Sequence, residues 1–583
     1  MILSVRQYAL AAIVLIVALG FLLRVRGLSA QGLNEDEVNK AEAAAAYQHG
    51  DFLLNREHPM LLKSLVSVSL AGTEFWNRRV GPCCQLAQET AVRLPNAVFG
   101  SLTAVVVFAL AQEFFGIAVG LIAAFVWSIL PLAIAINRIA KEDTLLVFFT
   151  WLAYYFYIRA KHGSFLDATS RDVFYALAGA SFGLMLASKY FPHYLGLIFL
   201  YYRLLGRRGQ HYIPLGKRRY AIVFGALIFV FLLANPVIVL PSTWKYMFHY
   251  IREETMTHHG YLMMGHLYYN DPGHLLQGMP SYSYALFLLI KTQLPLLLAL
   301  VLGLSEAIRL RREPGQFFLL MMFVMWIVPF SFVVVKWFRY MLSLMPIVSI
   351  VAALGIAKIF SAVSSLSRGR RSLRPLVVPS LVILVFMVPL MTAAKSGPFY
   401  SLYLNPLGLG RVGYYFPHDE LDDIGLREAI FEVSRQAPQG TLLWGEAPPV
   451  FRYYLRRFHR EDLYNFSLSE GLTGHANLTV SNPALLRASV RSSGAHTLPA
   501  YAIVQKARIY FDNISAVDAI ESRQPPVGRI LVEGVPAATI YRLDTSRTPV
   551  GPNYLRQEAQ AHESHILWLG TAVRLDKRNL PGL

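Results

Sequence analysis

Acidic and basic side chains come together in the segment between the first two strongly apolar stretches of the chain. Residues 34–37 read Asn-Glu-Asp-Glu, and residues 56–63 read Arg-Glu-His-Pro-Met-Leu-Leu-Lys. Charged side chains are costly beside a bilayer unless they have a partner or a function. A carboxylate, a histidine and a lysine at a membrane surface could deprotonate an acceptor group and hold a phosphate.

The composition indicates the class of protein in which these residues lie. Of the 583 residues, 55% are hydrophobic and 15% are charged. This is too apolar for a soluble chain of that length and predicts a polytopic membrane protein. The net charge of +18 is then more typical of cytoplasmic anchoring than of nucleic-acid binding. The adjacent pair Cys83 and Cys84 excludes a disulfide-stapled fold and offers no metal cluster.

Apolar runs of spanning length predict about eleven transmembrane helices. They lie near 7–25, 94–112, 117–137, 144–159, 174–188, 191–205, 220–240, 282–304, 317–335, 340–360 and 376–394. Lys and Arg concentrate in alternate loops, which places those loops and the N-terminus in the cytoplasm by the positive-inside rule. Arg24 and Arg26 depart from this pattern, and four other loops agree with it.

This orientation places three parts of the chain on the outer side of the membrane. They are the loops 26–92 and 241–281 and everything after Lys395. Residues 1–394 are therefore predicted to form the transmembrane module. Residues 395–583 change to short alternating runs and helical patterns broken by Gly and Pro, which predicts an extracytoplasmic α/β domain. Within it, 416–421 and 446–448 are interpreted mainly as loops and helix caps.

The acidic group at 35–37 has two interpretations. Asn34 and Glu37 form a capping-box pattern that places Asp36 in the first turn of a helix running through Tyr47, so the acids could serve only to start that helix. Three consecutive acids exceed what capping requires, however, which favours Asp36 as a general base. Desolvation and the neighbouring charge of Glu37 are expected to raise its pKa toward a useful range.

Several short motifs resemble, in order, those of the C-type (GT-C) glycosyltransferases. The motifs are Asp36-Glu37 with Ala41-Glu42, Glu57-His58-Pro59 with Leu61 and Lys63, Arg93-Leu94-Pro95, Arg138 with Lys141-Glu142-Asp143, Ser188-Lys189, and Lys336 with Arg339-Tyr340. They are similar to the branch of protein O-mannosyltransferases and lipid A aminoarabinose transferases, and they span most of 1–360. Residues 57–60 read Glu-His-Pro-Met and match neither subgroup fully, so the sugar and the acceptor are not carried over.

The resemblance implies an inverting glycosyltransferase of the hexosyl- or pentosyltransferase class. Such an enzyme moves a sugar from a polyprenyl-phosphate carrier to a protein, lipid or glycan acceptor on the outer face of the membrane. It implies Asp36 as the catalytic base, with Glu37 beside it. Candidates for binding the substrates are Lys63, His58, Arg138, Lys141, Asp143, Lys189 and Arg339. For the cations among them the alternative is snorkelling toward ordinary lipid headgroups. Asp143 could instead pair with Arg138 or start a helix.

Some relatives hold a divalent metal between a first-loop glutamate and a later histidine. The counterpart here is Glu57 with His259 or His266. The alternative is that these histidines pack at an interface in a loop rich in Tyr and Met. No cofactor is otherwise required, and the compact, insertion-free form favours a bacterial inner membrane.

Two other classes of function fit the composition. A transporter or flippase for a polyprenyl lipid or sugar usually carries functional charges or broken helices near the bilayer midplane, often in paired repeats. This chain gathers its charges at one face and has no half-to-half repeat. The third possibility is an assembly scaffold whose outer C-terminal domain is the working part.

Overall fold

The computed structural model describes residues 5–162, 167–208, 215–250, 260–274, 276–369, 374–469, 500–543 and 571–575. The helices up to residue 249 are α1 (Val5–Val25), α2 (Glu35–Gln48), α3 (Leu61–Asn77), α4 (Gln88–Phe115), α5 (Ile117–Ile129), α6 (Pro131–Asn137), α7 (Asp143–His162), α8 (Ala168–Ser188), α9 (His193–Arg207), α10 (Lys217–Ala234) and α11 (Pro241–His249). A short hairpin of β1 (Tyr261–Met263) and β2 (His266–Tyr268) follows. The next helices are α12 (Ser283–Lys291), α13 (Leu294–Arg309), α14 (Pro314–Phe332), α15 (Met345–Gly369), α16 (Arg374–Val382) and α17 (Val388–Ser396).

Long apolar helices identify the chain as a helical membrane protein. Within the described ranges, five stretches are long and apolar enough to cross a membrane: Val5–Ala30, Pro82–Phe115, Pro314–Phe332, Met345–Ser365 and Val377–Ser396. The helices α5 and α6 form a sixth candidate if the pair, bent by 62°, is one span. The count of eleven crossings and their orientation stay predictions.

Prolines divide two of the predicted spans. In the span 117–137, Leu130 is extended and Pro131 begins α6. In the span 282–304, Gln293 is extended and α13 starts with a proline in its first turn. Proline lacks an N–H and disfavours the helical conformation in the residue before it, so an apolar run can be continuous in sequence and broken in structure. The buried Gln293 amide donates to the Ile129 carbonyl oxygen at 2.9 Å, which satisfies the broken end of α5.

The position of Arg24 explains its departure from the positive-inside pattern. The side chain is fully buried. Its Nε donates to Asn137 Oδ1 at 3.0 Å, and its Nη1 donates to the carbonyl oxygens of Gly20 and Ser128 at 3.0 and 3.3 Å. Arg24 therefore belongs to the packing between α1, α5 and α6 and is not a loop charge.

The C-terminal part contains helices and a mixed sheet. Its helices are α18 (Pro417–Leu421), α19 (Leu426–Gln436), α20 (Pro448–Arg457) and α21 (Ile514–Arg523). Its strands are β3 (Leu442–Trp444), β4 (Tyr464–Phe466), β5 (Ala500–Gln505), β6 (Pro526–Val532), β7 (Val535–Leu543) and β8 (Thr571–Leu575). The described strands pair in the order β4-β3-β5-β7-β6-β8, in which β7 is antiparallel to β5 and β6 and the other pairs are parallel.

The C-terminal part shares a hydrophobic core with the membrane part. Leu426 and Ile430 of α19 and Phe451 of α20 lie in the same contiguous cluster of buried side chains as Val38 of α2 and Val92 of α4. Burial of shared apolar surface holds the two parts together. The predicted domain boundary at 395 stays a prediction.

Candidate active site

A cavity of about 400 Å³ lies between the membrane part and the C-terminal part. Its lining from the membrane part includes the start of α2, side chains of α6 and α12, Lys141 and the segment 337–339. The C-terminal part contributes residues near 400–403, 418–422, 446–448 and 508–510. A concave site with apolar walls and a few convergent charged groups is the usual form of a small-molecule site.

The start of α2 carries the predicted base into this cavity. The capping box is confirmed: Asn34 Oδ1 accepts from the Glu37 N–H at 2.9 Å, and Glu37 Oε2 accepts from the Asn34 N–H at 3.1 Å. Asn34 and Glu37 thus perform the capping. Asp36 is left to line the cavity, with its side chain 38% exposed. Both interpretations of the acidic group therefore apply, to different residues.

Two cations meet the Asp36 carboxylate. Lys141 Nζ lies 2.6 Å from Asp36 Oδ2, and Arg339 Nη1 lies 3.7 Å from the same oxygen. Burial alone raises the pKa of Asp36, but Lys141, Arg339 and Lys40 outweigh it and hold the pKa well below its usual range. The expectation of a raised pKa was wrong, because cations from distant segments approach this carboxylate and Glu37 is engaged elsewhere.

Glu37 is buried in a structural network. Arg93 binds it bidentately, with Nε 2.7 Å from Oε1 and Nη2 2.6 Å from Oε2, and the Ala140 N–H donates to Oε1 at 2.9 Å. Arg93 also donates to the carbonyl oxygens of Leu28 and Gly32 at 2.6 and 2.7 Å. Glu37 does not line the cavity. Its position supports a role in fixing the loop before α2 and gives no support to the predicted catalytic role.

A second buried carboxylate, Glu142, lies behind Lys141. Its Oε1 is 2.9 Å from Lys40 Nζ and 3.8 Å from His58 Nδ1, and its Oε2 is 3.9 Å from Lys141 Nζ. Burial first, and then the charge of Lys40, lower the pKa of His58 well below its usual range, so this imidazole is neutral. His58 thus packs against the charge network next to the cavity and does not line the cavity itself.

Lys63 and Arg138 are predicted substrate ligands that the structure places elsewhere. The buried Lys63 Nζ donates to the carbonyl oxygens of Asn55 and, at 2.9 Å, His58. Arg138 donates to the carbonyl oxygens of Arg24, Arg26 and Gly27 at 2.6, 2.8 and 2.7 Å, which satisfies the C-terminal end of α1. Neither side chain lines the cavity, so neither position supports a direct contact with substrate.

Asp143 and Lys189 form an ion pair of their own. Lys189 Nζ lies 2.9 Å from Asp143 Oδ1, and it sits over the rings of Tyr340 and Phe191 at 4.7 and 4.8 Å. Asp143 begins α7, so the helix-start interpretation holds, and its ion-pair partner is Lys189 where Arg138 was the alternative. The pair supports the segment that carries Arg339 and does not line the cavity.

The predicted metal ligands are only partly within the described residues. Glu57 accepts a hydrogen bond from the Asn55 side-chain amide. His266 lies in β2 and is exposed, and His259 lies outside the described residues. In the described ranges, no group of three or more His, Cys, Asp or Glu side chains is placed to hold a metal ion. The metal site stays a prediction.

The C-terminal part supplies cavity residues that were interpreted from the sequence as loops and caps. Asp419 accepts a hydrogen bond from the Tyr261 O–H, and burial raises its pKa to about 6. Burial and the charge of Asp423 raise the pKa of Asp422 above its usual range. Both Asp419 and Asp422 line the cavity. The available sequence signal was the density of acids between 419 and 423, which exceeds what a helix cap requires.

The comparisons with known proteins agree with this fold. Residues 80–240, less than half of the chain, match the family described as dolichyl-phosphate-mannose-protein mannosyltransferase. The crystal structure of ArnT from Cupriavidus metallidurans bound to undecaprenyl phosphate is 15% identical with a TM-score of 0.53, and the match covers 94% of this chain and 100% of that chain. ArnT from the same organism in the apo state is 16% identical with a TM-score of 0.54, and the match covers 92% of this chain and 98% of that chain. No curated protein matches this chain by sequence.

A more distant likeness is found to the oligosaccharyltransferase of Archaeoglobus fulgidus in its apo form. It is 12% identical with a TM-score of 0.47, and the match covers 86% of this chain and 70% of that chain. The resemblance of this chain to the GT-C superfamily of membrane glycosyltransferases is thus confirmed, by the fold of nearly the whole chain and by the sequence of residues 80–240.

Proposed function

We propose that the chain is a glycosyltransferase that moves a sugar from a polyprenyl-phosphate carrier to an acceptor. The observation that carries the proposal is the Asp36 carboxylate in a cavity beside Lys141 and Arg339, 2.6 and 3.7 Å away. The ArnT structure with the same fold was solved with undecaprenyl phosphate. An anionic carrier headgroup requires cations at the place where the leaving phosphate gains charge.

The chemistry follows from the exchange of partners among these three residues. Lys141 and Arg339 hold the Asp36 pKa well below its usual range, so the carboxylate paired with them is a weak base. A bound carrier phosphate takes up Lys141 and Arg339 and adds negative charge beside Asp36. Both changes raise the proton affinity of Asp36. Asp36 then accepts the proton of the acceptor, whose oxygen or nitrogen attacks the anomeric carbon as the bond to phosphate breaks, with inversion.

The surrounding topology completes the proposal. With eleven crossings and a cytoplasmic N-terminus, the cavity and the part after 395 face the outside of a bacterial inner membrane. The transferred sugar is a hexose or pentose, and the acceptor is a protein, lipid or glycan. Metal analysis of the purified protein tests the additional ion predicted at Glu57 with His259 or His266.

Two measurements test the proposal. Lipid mass spectrometry of the purified full-length protein is expected to find a co-purified polyprenyl phosphate and its sugar. The variant Asp36→Asn is expected to lose sugar transfer by about 1,000-fold or more, because general-base catalysis and electrostatic placement are lost together. The matched control is Glu42→Gln, which removes a half-exposed acid from the same helix α2 at a distance from the cavity.

The Asp36 variant also separates the proposal from its rivals. Asp36→Asn leaves the cations without their carboxylate, so undecaprenyl phosphate is expected to bind about tenfold more tightly while turnover is lost. A transporter would instead move the carrier lipid across the bilayer of proteoliposomes without breaking the bond between sugar and phosphate. A scaffold that works through its C-terminal part would bind its partner protein with the same affinity in wild type and in Asp36→Asn. Retained transfer by Asp36→Asn would refute the proposal.

A further inference from the structure

The start of α2 is held by side chains that come from far along the chain. Asn34 Nδ2 donates to Asp422 Oδ2 at 2.5 Å, and the Glu35 N–H donates to Asp423 Oδ2 at 3.0 Å. Arg508 Nη1 donates to Glu35 Oε2 at 2.8 Å. These contacts fall on the two residues that precede Asp36. The C-terminal part therefore fixes the backbone from which the Asp36 side chain projects.

Arg508 is the centre of this attachment. It follows β5, and its side chain is 12% exposed. Its Nε and Nη2 donate to the two oxygens of Asp423 at 2.9 and 2.7 Å, and Gln505 Nε2 donates to Asp423 Oδ1 at 3.0 Å. A bidentate guanidinium–carboxylate pair has a fixed geometry, and breaking a buried one leaves an uncompensated charge. The attachment is thus rigid and specific for arginine.

The backbone beside this pair is strained in a way that serves the same contact. Asp422 has a φ of 45°, a conformation that is unfavourable for a residue with a side chain and is retained where the surroundings require it. This turn is what presents consecutive carboxylates, Asp422 to Asn34 and Asp423 to Glu35.

The loop before α2 is docked on the C-terminal part along its length. The Leu33 N–H donates to the Tyr454 hydroxyl at 2.6 Å, and Arg427 Nη1 donates to the Ser29 carbonyl oxygen at 3.0 Å. At Gly32 an added Cβ would lie 2.7 Å from Arg427 Cβ, so the two backbones approach as closely as glycine allows. Arg508 and Asp423 close this docked stretch at the end nearest Asp36.

We infer that Arg508, together with Asp423, is a positioning residue for Asp36, so that the C-terminal part completes the active site. The inference rests on the proposed function and deepens it. The start of α2 is held in two places: Arg93 of the membrane part binds Glu37, and Arg508 of the C-terminal part binds Glu35. Together these two attachments set the distance between the Asp36 carboxylate and the cations Lys141 and Arg339.

Loss of one attachment has a defined consequence for Asp36. The groups facing this carboxylate are Lys141, Arg339, Lys40 on its own helix, and the neutral His58. When the start of α2 loosens, the average distance to Lys141 and Arg339 grows and their effect on the Asp36 proton affinity weakens. A displacement of about 1 Å at a reacting group can cost about 100-fold in rate.

The test compares four full-length variants, among them the conservative Arg508→Lys, in lipid nanodiscs with undecaprenyl-phosphate mannose and undecaprenyl phosphate as probes. Arg508→Gln removes the centre of the attachment. Glu35→Gln removes the charge of one of its arms and leaves the pair of Arg508 with Asp423 in place. The matched control is Arg456→Gln, because Arg456 also reaches from the C-terminal part to an acid on α2, Glu42 at 3.8 Å, but is 63% exposed and far from the cavity.

We expect Arg508→Gln to lower kcat for undecaprenyl-phosphate mannose about 100-fold without raising KM. The acid limb of kcat/KM, which reports the free enzyme, is expected to move to higher pH by about one unit. Undecaprenyl phosphate alone is expected to bind more tightly to it, since the cations are less occupied by Asp36. Arg508→Lys and Glu35→Gln are expected to lie between wild type and Arg508→Gln, and Arg456→Gln is expected to match wild type.

The outcomes separate this inference from the proposed function. If Arg508→Gln only lowers the yield of folded protein, with a wild-type kcat, pH limb and phosphate affinity per folded molecule, Arg508 is merely structural and the inference is refuted. If Arg508→Gln and Arg456→Gln behave alike, the inference is refuted as well. If Asp36→Asn keeps full turnover, the proposed function fails. The phosphate-binding comparison still tests the attachment even when mannose is not the transferred sugar.

Discussion

Two pairs of cations in this molecule look alike in sequence and differ in what they contact. Lys141 and Arg339 meet the Asp36 carboxylate in the cavity. Lys63 and Arg138 donate to backbone carbonyl oxygens within the fold. A ligand phosphate can replace a carboxylate as the partner of a cation, but taking a cation away from buried carbonyl oxygens removes hydrogen bonds that the fold depends on. The first pair is therefore exchangeable and the second is structural.

The largest expected effect concerns the exchangeable pair. Lys141→Gln and Arg339→Gln should each weaken the binding of undecaprenyl phosphate by about 10- to 100-fold, because a charge-assisted contact is worth about 1.5–3 kcal/mol. Turnover should fall further, since the developing charge on the leaving phosphate needs the same cations. The measurement is the dissociation constant for undecaprenyl phosphate in detergent. The control is Lys245→Gln, which changes an exposed lysine on α11; unchanged binding in the two cavity variants would contradict the comparison.

A smaller and different effect is expected for the structural pair. Arg138→Gln should lower the free energy of unfolding by about 3 kcal/mol, because carbonyl oxygens at the end of α1 lose their donors. The affinity of the folded fraction for undecaprenyl phosphate should stay at the wild-type value. Thermal unfolding in detergent measures the first quantity, and binding per folded molecule measures the second. A fall in affinity equal to that of Arg339→Gln would place Arg138 in the site after all.

The comparison also explains which parts of the site could be predicted from the sequence. The capping box and the place of Asp36 at the start of α2 follow from residues three positions apart, and local patterns of this kind can be recognised in a sequence. Lys141 and Arg339 could be nominated because they are cations at helix ends. Lys63 and Arg138 satisfied the same criterion, since a sequence shows where a charge lies along the chain and not which partner meets it.

The contribution of the C-terminal part was beyond the reach of local patterns. Asn34 and Asp422 are separated by 388 positions, and Glu35 and Arg508 by 473. Without these contacts, 416–421 had the composition of an ordinary loop with a helix cap. The error in the expected Asp36 pKa has the same origin, because the nearest charges in sequence are acids and the nearest in space are cations.

Hydropathy predicted where apolar helices lie along the chain, but it did not predict where such a helix is interrupted. Hydropathy averages over a window and does not register a single break, so 117–137 and 282–304 each read as one helix. The structure turns at Leu130, directly before Pro131, and at Gln293, two residues before Pro295. The helices α6 and α12 that result from these breaks both contribute side chains to the lining of the cavity. A proline at such a break was the available signal.

The last effect concerns Lys63 and depends on pH. Burial first, and then the charge of Lys40, lower the pKa of Lys63 from 10.5 to about 7. A neutral amine keeps two N–H donors, which is enough for the carbonyl oxygens of Asn55 and His58. Because the folded-state pKa is depressed, the unfolded chain binds more protons between about pH 7 and pH 10.5, so this lysine makes the folded protein more stable as pH rises through that window.

The variant Lys63→Met tests this contribution directly. It is expected to be less stable than wild type, because the His58 carbonyl oxygen loses the Lys63 donor and the Asn55 carbonyl oxygen keeps only the His58 N–H. It is also expected to lack the gain in stability between pH 7 and the alkaline end of the window. The measurement is the difference in thermal midpoint between wild type and variant at several pH values, with Lys245→Met as the exposed control that keeps the wild-type slope. Equal slopes in wild type and Lys63→Met would mean that Lys63 is solvated in the folded state. It would then belong with Lys141 and Arg339 as a cation that a ligand can reach.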